Sequence, residues 1–270
     1  MSETIAISAA AHRSTNIPSP FDAQPQDQPP LRRTKQDTAR LRKITCRARR
    51  EREILQSLDS GRRIIQPLGN QDTAYRGLKR ALDIVGSLVL LLLLSPIMLT
   101  VCLLLLATTR GRPLFAQRRV GYCGRTFTLW KFRTMRLDAA RYQHLVNNEQ
   151  DGPIFKNRRD PRITRLGRIL RKTSLDETPQ LFNVLAGQMS LVGPRPPVPA
   201  EVAQYELWQL RRLAVMPGLT CLWQVSGRSE IEFENWVRMD IWYVKNQGIA
   251  TDLRLLLNTP YSVLTCRGAY

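Results

Sequence analysis

Residues Ile84 to Ala107 read IVGSLVLLLLLSPIMLTVCLLLLA, with no charged side chain and a Ser95-Pro96 pair near the centre. At about 1.5 Å per residue, a helix of this length reaches across a bilayer core of ~30 Å. A buried helix of a soluble protein is rarely both this long and this apolar. The stretch therefore predicts a membrane element.

Basic residues flank the apolar stretch on both sides. The flanking cations are Arg76, Lys79 and Arg80 before it, and Arg110, Arg112, Arg118 and Arg119 after it. A single crossing carries its excess of Lys and Arg on the cytoplasmic side only, so two basic flanks favour a segment whose ends both face the cytoplasm.

Pro96 removes a backbone donor and clashes with the preceding turn, so it kinks or breaks a helix. Each half is then too short to span, which predicts a re-entrant element that enters one leaflet and returns. The Ser95 hydroxyl is expected to satisfy a carbonyl freed at the break. A single transmembrane helix with a tolerated proline fits the residues equally well, so both topologies stay open at this point.

The chain is strongly basic, with 41 Lys+Arg against 22 Asp+Glu and a formal net charge of +19. Such an excess attracts phosphate-rich partners, either nucleic acid or anionic lipid. The apolar stretch favours membrane lipids, and no nucleic-acid module or zinc-finger spacing is found. We therefore expect a lipid surface as partner and no nucleic acid.

Composition divides the chain into a polar tail over residues 1–74, the membrane element over 75–110 and one domain over 111–270. The tail is expected to be disordered up to about Thr34. Its basic segment from Arg40 to Leu55 is able to form an amphipathic helix against headgroups, or else is a solvated linker.

Local patterns in the last part predict a mostly α domain with a small β-hairpin, an α+β fold. The predicted strands are Pro113–Val120 and Thr126–Phe132. The predicted helices are Met135–Asn148, a short one after the basic loop at 160–171, Gln180–Leu185, Val198–Val215 and Ile231–Asn246. In the last helix, core packing is favoured over membrane anchoring for Phe233, Trp236, Trp242 and Tyr243.

Two adjacent carboxylates, Asp176 and Glu177, stand in the run RKTSLDETPQ that begins at Arg171. Thr178 is predicted to cap a helix that starts at Pro179, which places the carboxylates just before a helix N-terminus. The spacing Ser174-x-x-Glu177 also matches a capping box, in which Glu177 would only start a helix. Both interpretations stay open here.

Cations gather around this pair in the sequence. They are Lys131, Arg133, Arg162, Arg168, Arg171 and Lys172, followed by Arg195 in the stiff loop Gly193-Pro194-Arg195-Pro196-Pro197. A single arginine is more often a surface charge than a ligand, but carboxylates with several guanidiniums predict phosphates and a divalent metal in one site. The chain has only His12 and His144, no P-loop and no GxGxxG after a strand, which disfavours Ser-His-Asp, Walker and dinucleotide chemistry.

Several motifs stand in a characteristic order. They are Lys131-Phe132-Arg133-Thr134-Met135, Asp160-Pro161-Arg162-Ile163-Thr164, Ser174 to Val184, Met189 to Pro196 and Pro217-Gly218-Leu219-Thr220. With them the chain, over about residues 76–270, resembles the bacterial sugar transferases. These are monotopic polyprenyl-phosphate hexose-1-phosphate transferases that start exopolysaccharide, O-antigen and glycoprotein assembly. The chain is similar to the small exopolysaccharide-initiating, undecaprenyl-phosphate galactose/glucose phosphotransferase type.

The resemblance implies a re-entrant helix broken at Ser95-Pro96 and a compact catalytic domain on the cytoplasmic face of the bacterial inner membrane. It implies that Asp176 is the nucleophile and that Glu177 is its partner, both carboxylates serving a Mg²⁺ ion. The residues that match positions linked to the substrate phosphates are Lys131, Arg171, Pro194 and Arg195, with Arg133 and Arg228 as further candidates.

The reaction implied is transfer of hexose-1-phosphate from a UDP-sugar to undecaprenyl phosphate, with release of UMP and a sugar phosphate held covalently on Asp176. Galactose or glucose is the expected sugar, and a homodimer stays open. Two rivals remain: a non-catalytic basic membrane adaptor in polysaccharide assembly, and a lipid phosphatase that uses the same carboxylates.

Overall fold

The computed structural model describes residues 35–265 except 71, 111, 150, 151, 156 and 228–230; the side chains of 35–44 and 47 are also outside the description. The disorder expected up to Thr34 and the candidate Arg228 therefore lie outside the described residues. The chain divides into two units, Met1–Thr45 and Cys46–Tyr270. The apolar stretch and the predicted domain both belong to the second unit.

The basic segment near the N-terminus is helical, as predicted, within α1 (Lys35–Asp59). Ile54 and Leu58 of this helix are buried in a cluster that includes Tyr205 and Trp236. This part of the predicted tail therefore packs with the domain that follows it.

The apolar stretch lies in α2 (Thr73–Thr108), a 36-residue helix capped by the side chain of Asp72. In the described part of the chain it is the one helix long and apolar enough to cross a membrane. The helix is continuous through Pro96. The Ser95 hydroxyl donates to the carbonyl of Leu92 at 2.9 Å, the acceptor that Pro96 leaves without a backbone donor. This bond agrees with the one expected for Ser95, and the break at Ser95-Pro96 stays a prediction.

One face of α2 packs on the domain near both ends of the helix. Near its start, Lys79 Nζ lies 2.9 Å from Asp252 Oδ2, and Asp83 accepts hydrogen bonds from Ser190 and the Leu191 amide. Near its end, Leu105 is buried. The apolar residues clustered there are Val101, Leu105, Phe132 and Leu170. The opposite face exposes leucines throughout.

The predicted hairpin is confirmed as β1 (Leu114–Val120) antiparallel to β2 (Thr126–Phe132), with Phe115 opposite Lys131. Because side chains alternate along strands, one face of the hairpin carries Phe132 onto the end of α2 and the other carries Phe115 and Lys131. A parallel pair that the sequence analysis missed joins β3 (Ser190–Val192) to β4 (Gly218–Thr220).

The remaining elements are short, apart from the last two helices. They are α3 (Arg165–Lys172), α4 (Gln180–Leu185), α5 (Pro199–Ala203), α6 (Leu222–Ser226), α7 (Phe233–Lys245) and α8 (Ile249–Leu264). Single 3₁₀ turns occupy Tyr122–Gly124, Ala139–Leu145, Leu175–Glu177 and Gln209–Ala214. The predictions of α4 and α7 are confirmed. The helix α3 lies within the segment 160–171 that was predicted as a loop, earlier than the short helix expected after it. The helix α8 was not predicted.

Two predicted helices are wrong. Over Met135–Asn148 only a 3₁₀ turn forms, because Met135 is extended and bridges to Ile163. Over Val198–Val215 the helix stops at Ala203 and gives way to a 3₁₀ turn, which buries Arg212 against Asp240. In both segments, contacts with residues distant in the sequence override the helical periodicity of the local sequence.

The aromatic residues of α7 mostly fill the core, as predicted. Phe233, Trp236 and Tyr243 are buried, and Trp236 stacks on Trp223 with ring centroids 3.9 Å apart. Trp242 departs from the prediction because it is 48% exposed.

Candidate active site

A cavity of about 680 Å³ lies over the inner face of the hairpin and collects most of the predicted site residues. A volume of this size is typical of sites for nucleotide-sized ligands. The predicted residues that line it are Lys131, Arg133, Arg162, Arg171, Asp176, Glu177 and Arg195. Arg168 and Lys172 are exposed on α3 and do not line it, and Pro194 is buried behind it.

The turn that carries the two carboxylates is set by Ser174, whose φ of 58° is left-handed and unusual for a residue other than glycine. The chain then forms the 3₁₀ turn Leu175–Glu177 and enters α4 through Pro179. The predicted Thr178 cap is wrong, since its hydroxyl donates to the carbonyl of Leu175 at 2.9 Å.

Glu177 is not a helix starter, because Ser174 makes no side-chain cap bond. Its carboxylate instead accepts from Lys131 Nζ at 2.5 Å. Burial opposes ionisation of Glu177, but the charge and hydrogen bond of Lys131 together hold its pKa below the usual range. Glu177 is therefore a carboxylate at neutral pH.

Asp176 is buried and accepts no hydrogen bond from another described side chain. Burial raises the pKa of its carboxyl to about 6, against the nearby positive charge of Lys131. A carboxylate with a pKa near neutral and no hydrogen bond from another described side chain is available as a nucleophile or a ligand.

Two buried arginines hydrogen-bond the backbone of the loop that carries Arg195. Arg212 donates to the carbonyl of Arg195 at 3.2 Å, and Arg119 donates to that of Pro196 at 2.9 Å. Arg212 is itself fixed by Asp240 at 2.6 Å. With its backbone held in this way, the Arg195 side chain lines the cavity.

Arg119 is a cavity-lining residue that the sequence analysis did not single out as a site candidate. It is buried, its Nε has no hydrogen-bond partner among the described residues, and burial lowers its pKa to about 10. Strand alternation could have identified Arg119 from the sequence. It is four residues beyond Phe115, which opposes Lys131, so all three side chains lie on the cavity face of the hairpin.

The other cations differ in how far their side-chain nitrogens are already engaged by protein partners. Arg162 is paired with Asp160 at 2.6 Å and is committed to that carboxylate. Arg171 donates through Nε to the Thr134 hydroxyl at 3.0 Å, which aims its remaining nitrogens. Lys131, Arg171 and Arg195 therefore stay the best placed to bind phosphate.

The donor set for a metal consists of Asp176 and Glu177. Within the described residues no group of three His, Cys, Asp or Glu side chains is placed to hold a metal ion. Mg²⁺ commonly takes one or two carboxylates and completes its shell with substrate phosphates and water, and Asp176, which accepts no hydrogen bond from another described side chain, fits that pattern.

An acidic pair surrounded by cations and set against a long apolar helix is the arrangement expected of a membrane-associated protein that binds phosphates. A family model described as bacterial sugar transferase matches residues 74–266, and the chain belongs to that family.

Named relatives support the assignment. The chain is 44% identical over 197 residues to a galactosyl transferase, CpsE, of Streptococcus agalactiae, covering 71% of this chain and 43% of the relative. It is 44% identical over 205 residues to an undecaprenyl-phosphate galactose phosphotransferase of Salmonella typhimurium, covering 72% and 42%. The exopolysaccharide production protein ExoY of Rhizobium meliloti is 38% identical over 198 residues, covering 71% and 88%. The chain thus spans less than half of the first two relatives.

Proposed function

We propose that the chain is an undecaprenyl-phosphate sugar phosphotransferase. It moves a hexose-1-phosphate, galactose or glucose, from a UDP-sugar to undecaprenyl phosphate and releases UMP, as the first membrane step of exopolysaccharide or glycan synthesis. One observation carries the proposal: the buried Asp176, whose carboxylate accepts no hydrogen bond from another described side chain, lies beside the Lys131–Glu177 pair in a cavity whose floor packs on the membrane helix. The activities named for similar proteins agree with it.

In the first step an Asp176 oxygen attacks the phosphorus that bears the sugar. A new O–P bond forms, the phosphoanhydride bond breaks, and UMP leaves with the bonding electrons. In the second step a phosphate oxygen of the lipid attacks the same phosphorus, and the bond to Asp176 breaks to restore the carboxylate. One phosphoanhydride replaces another, so no external energy source is needed.

Lys131, Arg171 and Arg195 are positioned to stabilise the charge that spreads over the phosphate oxygens in both steps. Asp176 and Glu177 are the residues that would hold Mg²⁺, which when bound neutralises phosphate charge. Glu177, kept ionised by Lys131, positions that ion or accepts a proton.

The topology we propose is re-entrant, with the domain on the cytoplasmic face of the inner membrane. Both ends of α2 contact the same folded unit, Lys79 through Asp252 and Leu105 through Leu170. A helix that crossed the bilayer would have to separate those ends by the whole membrane, so these contacts support two ends on the same face. The bend at Pro96 that a return inside the bilayer needs is part of the proposal.

The test is a UMP-release assay on the full chain in lipid nanodiscs with undecaprenyl phosphate, Mg²⁺ and a panel of UDP-sugars. We expect release with UDP-galactose or UDP-glucose, and retention of sugar label on the protein when the lipid is left out. Asp176→Asn should abolish both, whereas Asp138→Asn, a matched change at a partly exposed carboxylate, should abolish neither.

Other outcomes decide between the rivals. Free inorganic phosphate as product would favour a phosphatase. Absence of UMP release from every donor, with indifference to changes at Asp176 and Glu177, would favour the membrane adaptor. Normal turnover of Asp176→Asn would refute the nucleophile assignment.

A further inference from the structure

The end of the cavity next to α2 differs in chemistry from the deep end. Phe115 lines it with 41% of its surface exposed, and the Arg133 guanidinium lies 5.7 Å from the centroid of that ring. Four residues further along β1 the same cavity is lined by Arg119, together with Arg195, and we call this part its deep end. An exposed aromatic ring beside a cation suits a ligand that is part apolar and part anionic.

Arg133 is fixed where the membrane helix joins the hairpin. Its Nε donates to the carbonyl of Arg112 at 2.8 Å and its Nη2 to that of Leu114 at 2.9 Å. Among the described residues, its Nη1 has no hydrogen-bond partner. Two anchored nitrogens hold the guanidinium still, which lowers the entropy cost of binding a phosphate through the third.

The same junction is close to the reacting carboxylates. Phe115 and Lys131 are directly opposed in the antiparallel ladder, and opposed residues have Cβ atoms about 4.5–5.5 Å apart. Lys131 then reaches Glu177 at 2.5 Å. Arg133 follows Lys131 by two residues, so a phosphate that it holds is close to the site of transfer.

We propose that Phe115 and Arg133 form the subsite for the lipid acceptor, a proposal that rests on the function proposed above. Arg133 binds the phosphate of a polyprenyl monophosphate, and Phe115 contacts the first isoprene units as the chain leaves towards α2. The nucleotide donor is water-soluble and has no apolar tail to place at the membrane helix, so it occupies the deeper part of the cavity.

The experiment separates the two half-reactions of the full chain in nanodiscs. The first is read without lipid acceptor, as the burst of UMP and the sugar label retained on the protein. The second is read as sugar phosphate transferred to undecaprenyl phosphate. For Arg133→Gln and Phe115→Ala we expect a burst within about threefold of wild type and an acceptor KM raised about tenfold or more.

Arg118→Gln is the matched control, because Arg118 is on the same strand but bonds Asp59 on the other side. It should change neither half-reaction. Arg133→Lys keeps a cation and should recover part of the acceptor KM. For Phe115→Ala, the loss should shrink when a short, water-soluble prenyl phosphate replaces undecaprenyl phosphate, because that acceptor offers less chain to contact.

Three results would overturn the subsite: a burst that falls as far as lipid transfer does, which would place the donor or its base at Phe115 and Arg133; acceptor kinetics like those of wild type; or an equal effect of Arg118→Gln. A wild-type protein that releases no UMP from any donor would instead overturn the proposed function, so the two failures are distinguishable.

Discussion

Lys131 and Glu177 form an ion pair of 2.5 Å that ties the hairpin to the turn carrying Asp176. The lysine is on β2 and the glutamate is on the turn before α4, so one side-chain contact sets the distance between two elements of the site. Burial opposes ionisation of both carboxyls, but Lys131 holds the pKa of Glu177 low while the pKa of Asp176 is raised. We therefore expect ionisation of Glu177 to stabilise the folded protein and ionisation of Asp176 to destabilise it.

Replacing Lys131 by Met should remove stability that depends on Glu177 being ionised. A carboxylate with a lowered folded pKa contributes stability above its unfolded pKa, and that contribution is lost as pH falls through the folded pKa. Because the Glu177 side chain is 26% exposed, we expect a loss of about 1 kcal/mol at pH 7 and a smaller loss at about pH 3. Denaturant unfolding at both pH values measures it. Lys131→Arg should lose less, and a loss independent of pH would contradict the assignment.

Replacing Asp176 by Asn should have the opposite effect on stability. Its folded pKa of about 6 is above the ordinary value of 3.8, so the folded protein binds the proton more tightly and stability falls as pH rises between them. Without divalent metal, we expect Asp176→Asn to be about 1–3 kcal/mol more stable than wild type at pH 7 and equal to it near pH 3.5.

Unfolding in EDTA, followed by circular dichroism, measures that difference. Asp138→Asn is the control, because Asp138 is partly exposed and pairs loosely with Arg136 at 3.4 Å. An Asp176→Asn protein that is less stable than wild type at pH 7 would show that the carboxylate is stabilised by its surroundings, contrary to our account.

The buried pair of Lys79 and Asp252 should be the main polar anchor of the membrane helix. Asp252 is fully buried and also accepts from the hydroxyls of Tyr75 and Tyr243 at 3.0 and 2.7 Å. Lys79→Met leaves that carboxylate without its cation, which typically costs about 3–5 kcal/mol. In the double variant Lys79→Met/Asp252→Asn most of the loss should be recovered. Thermal unfolding in detergent tests this cycle, and additive losses would contradict it.

Much of the site was predictable from sequence because its signals are local. Strand alternation predicts the hairpin, and the clustering of charged residue types predicts that Asp176 and Glu177 share a site with Lys131 and Arg195. Which cation binds which carboxylate was not predictable, because pairing depends on the contact between β2 and the turn before α4.

The parts that sequence reasoning missed depend on distant partners. Arg119 donates to the carbonyl of Pro196 and Arg212 pairs with Asp240. Neither pairing produces a periodic pattern in the sequence. The parallel strands β3 and β4 are likewise short and far apart in the chain. Local propensity cannot signal such contacts, since tertiary packing decides them.

Asn183 should be a positioning residue that acts through β2. Its side-chain amide accepts from the Trp130 amide at 3.1 Å and donates to the Thr128 carbonyl at 2.7 Å, so it pairs with the edge of β2 as a neighbouring strand would. Asn183→Ala leaves both backbone groups unpaired, at about 1–3 kcal/mol each.

Because β2 carries Lys131, we expect Asn183→Ala to lower kcat about tenfold or more while the KM for the UDP-sugar changes less. Initial rates in nanodiscs at a temperature where the variant is folded separate this from unfolding. Asn246→Ala is the control, since that side chain is exposed and bonds only the Trp242 carbonyl within its own helix turn. An unchanged kcat would mean that the contact is structural alone.

Gly193 should tolerate no side chain, because this residue, directly after β3, lies against Gly218, the first residue of β4. Each glycine amide hydrogen-bonds a backbone carbonyl of the facing segment. The Gly193 amide donates to the Thr220 carbonyl and the Gly218 amide donates to the Pro194 carbonyl, each at 3.0 Å. A Cβ on Gly193 would collide with the carbonyl of Met216, which is backbone and cannot swing away. Gly193→Ala should therefore lose about 1–3 kcal/mol.

The same collision should also impair substrate binding, because Gly193 begins the loop that positions the Arg195 side chain in the cavity. Displacing that loop ought to raise the KM for the UDP-sugar at temperatures where the variant is still folded. Gly77→Ala is the matched control: Gly77 lies inside α2 with open space around its Cβ position, so alanine should gain about 0.5–1 kcal/mol and leave the KM unchanged. Thermal unfolding and UMP-release kinetics read both variants. If Gly193→Ala proved as stable and as active as Gly77→Ala, this close contact would not be what fixes Arg195.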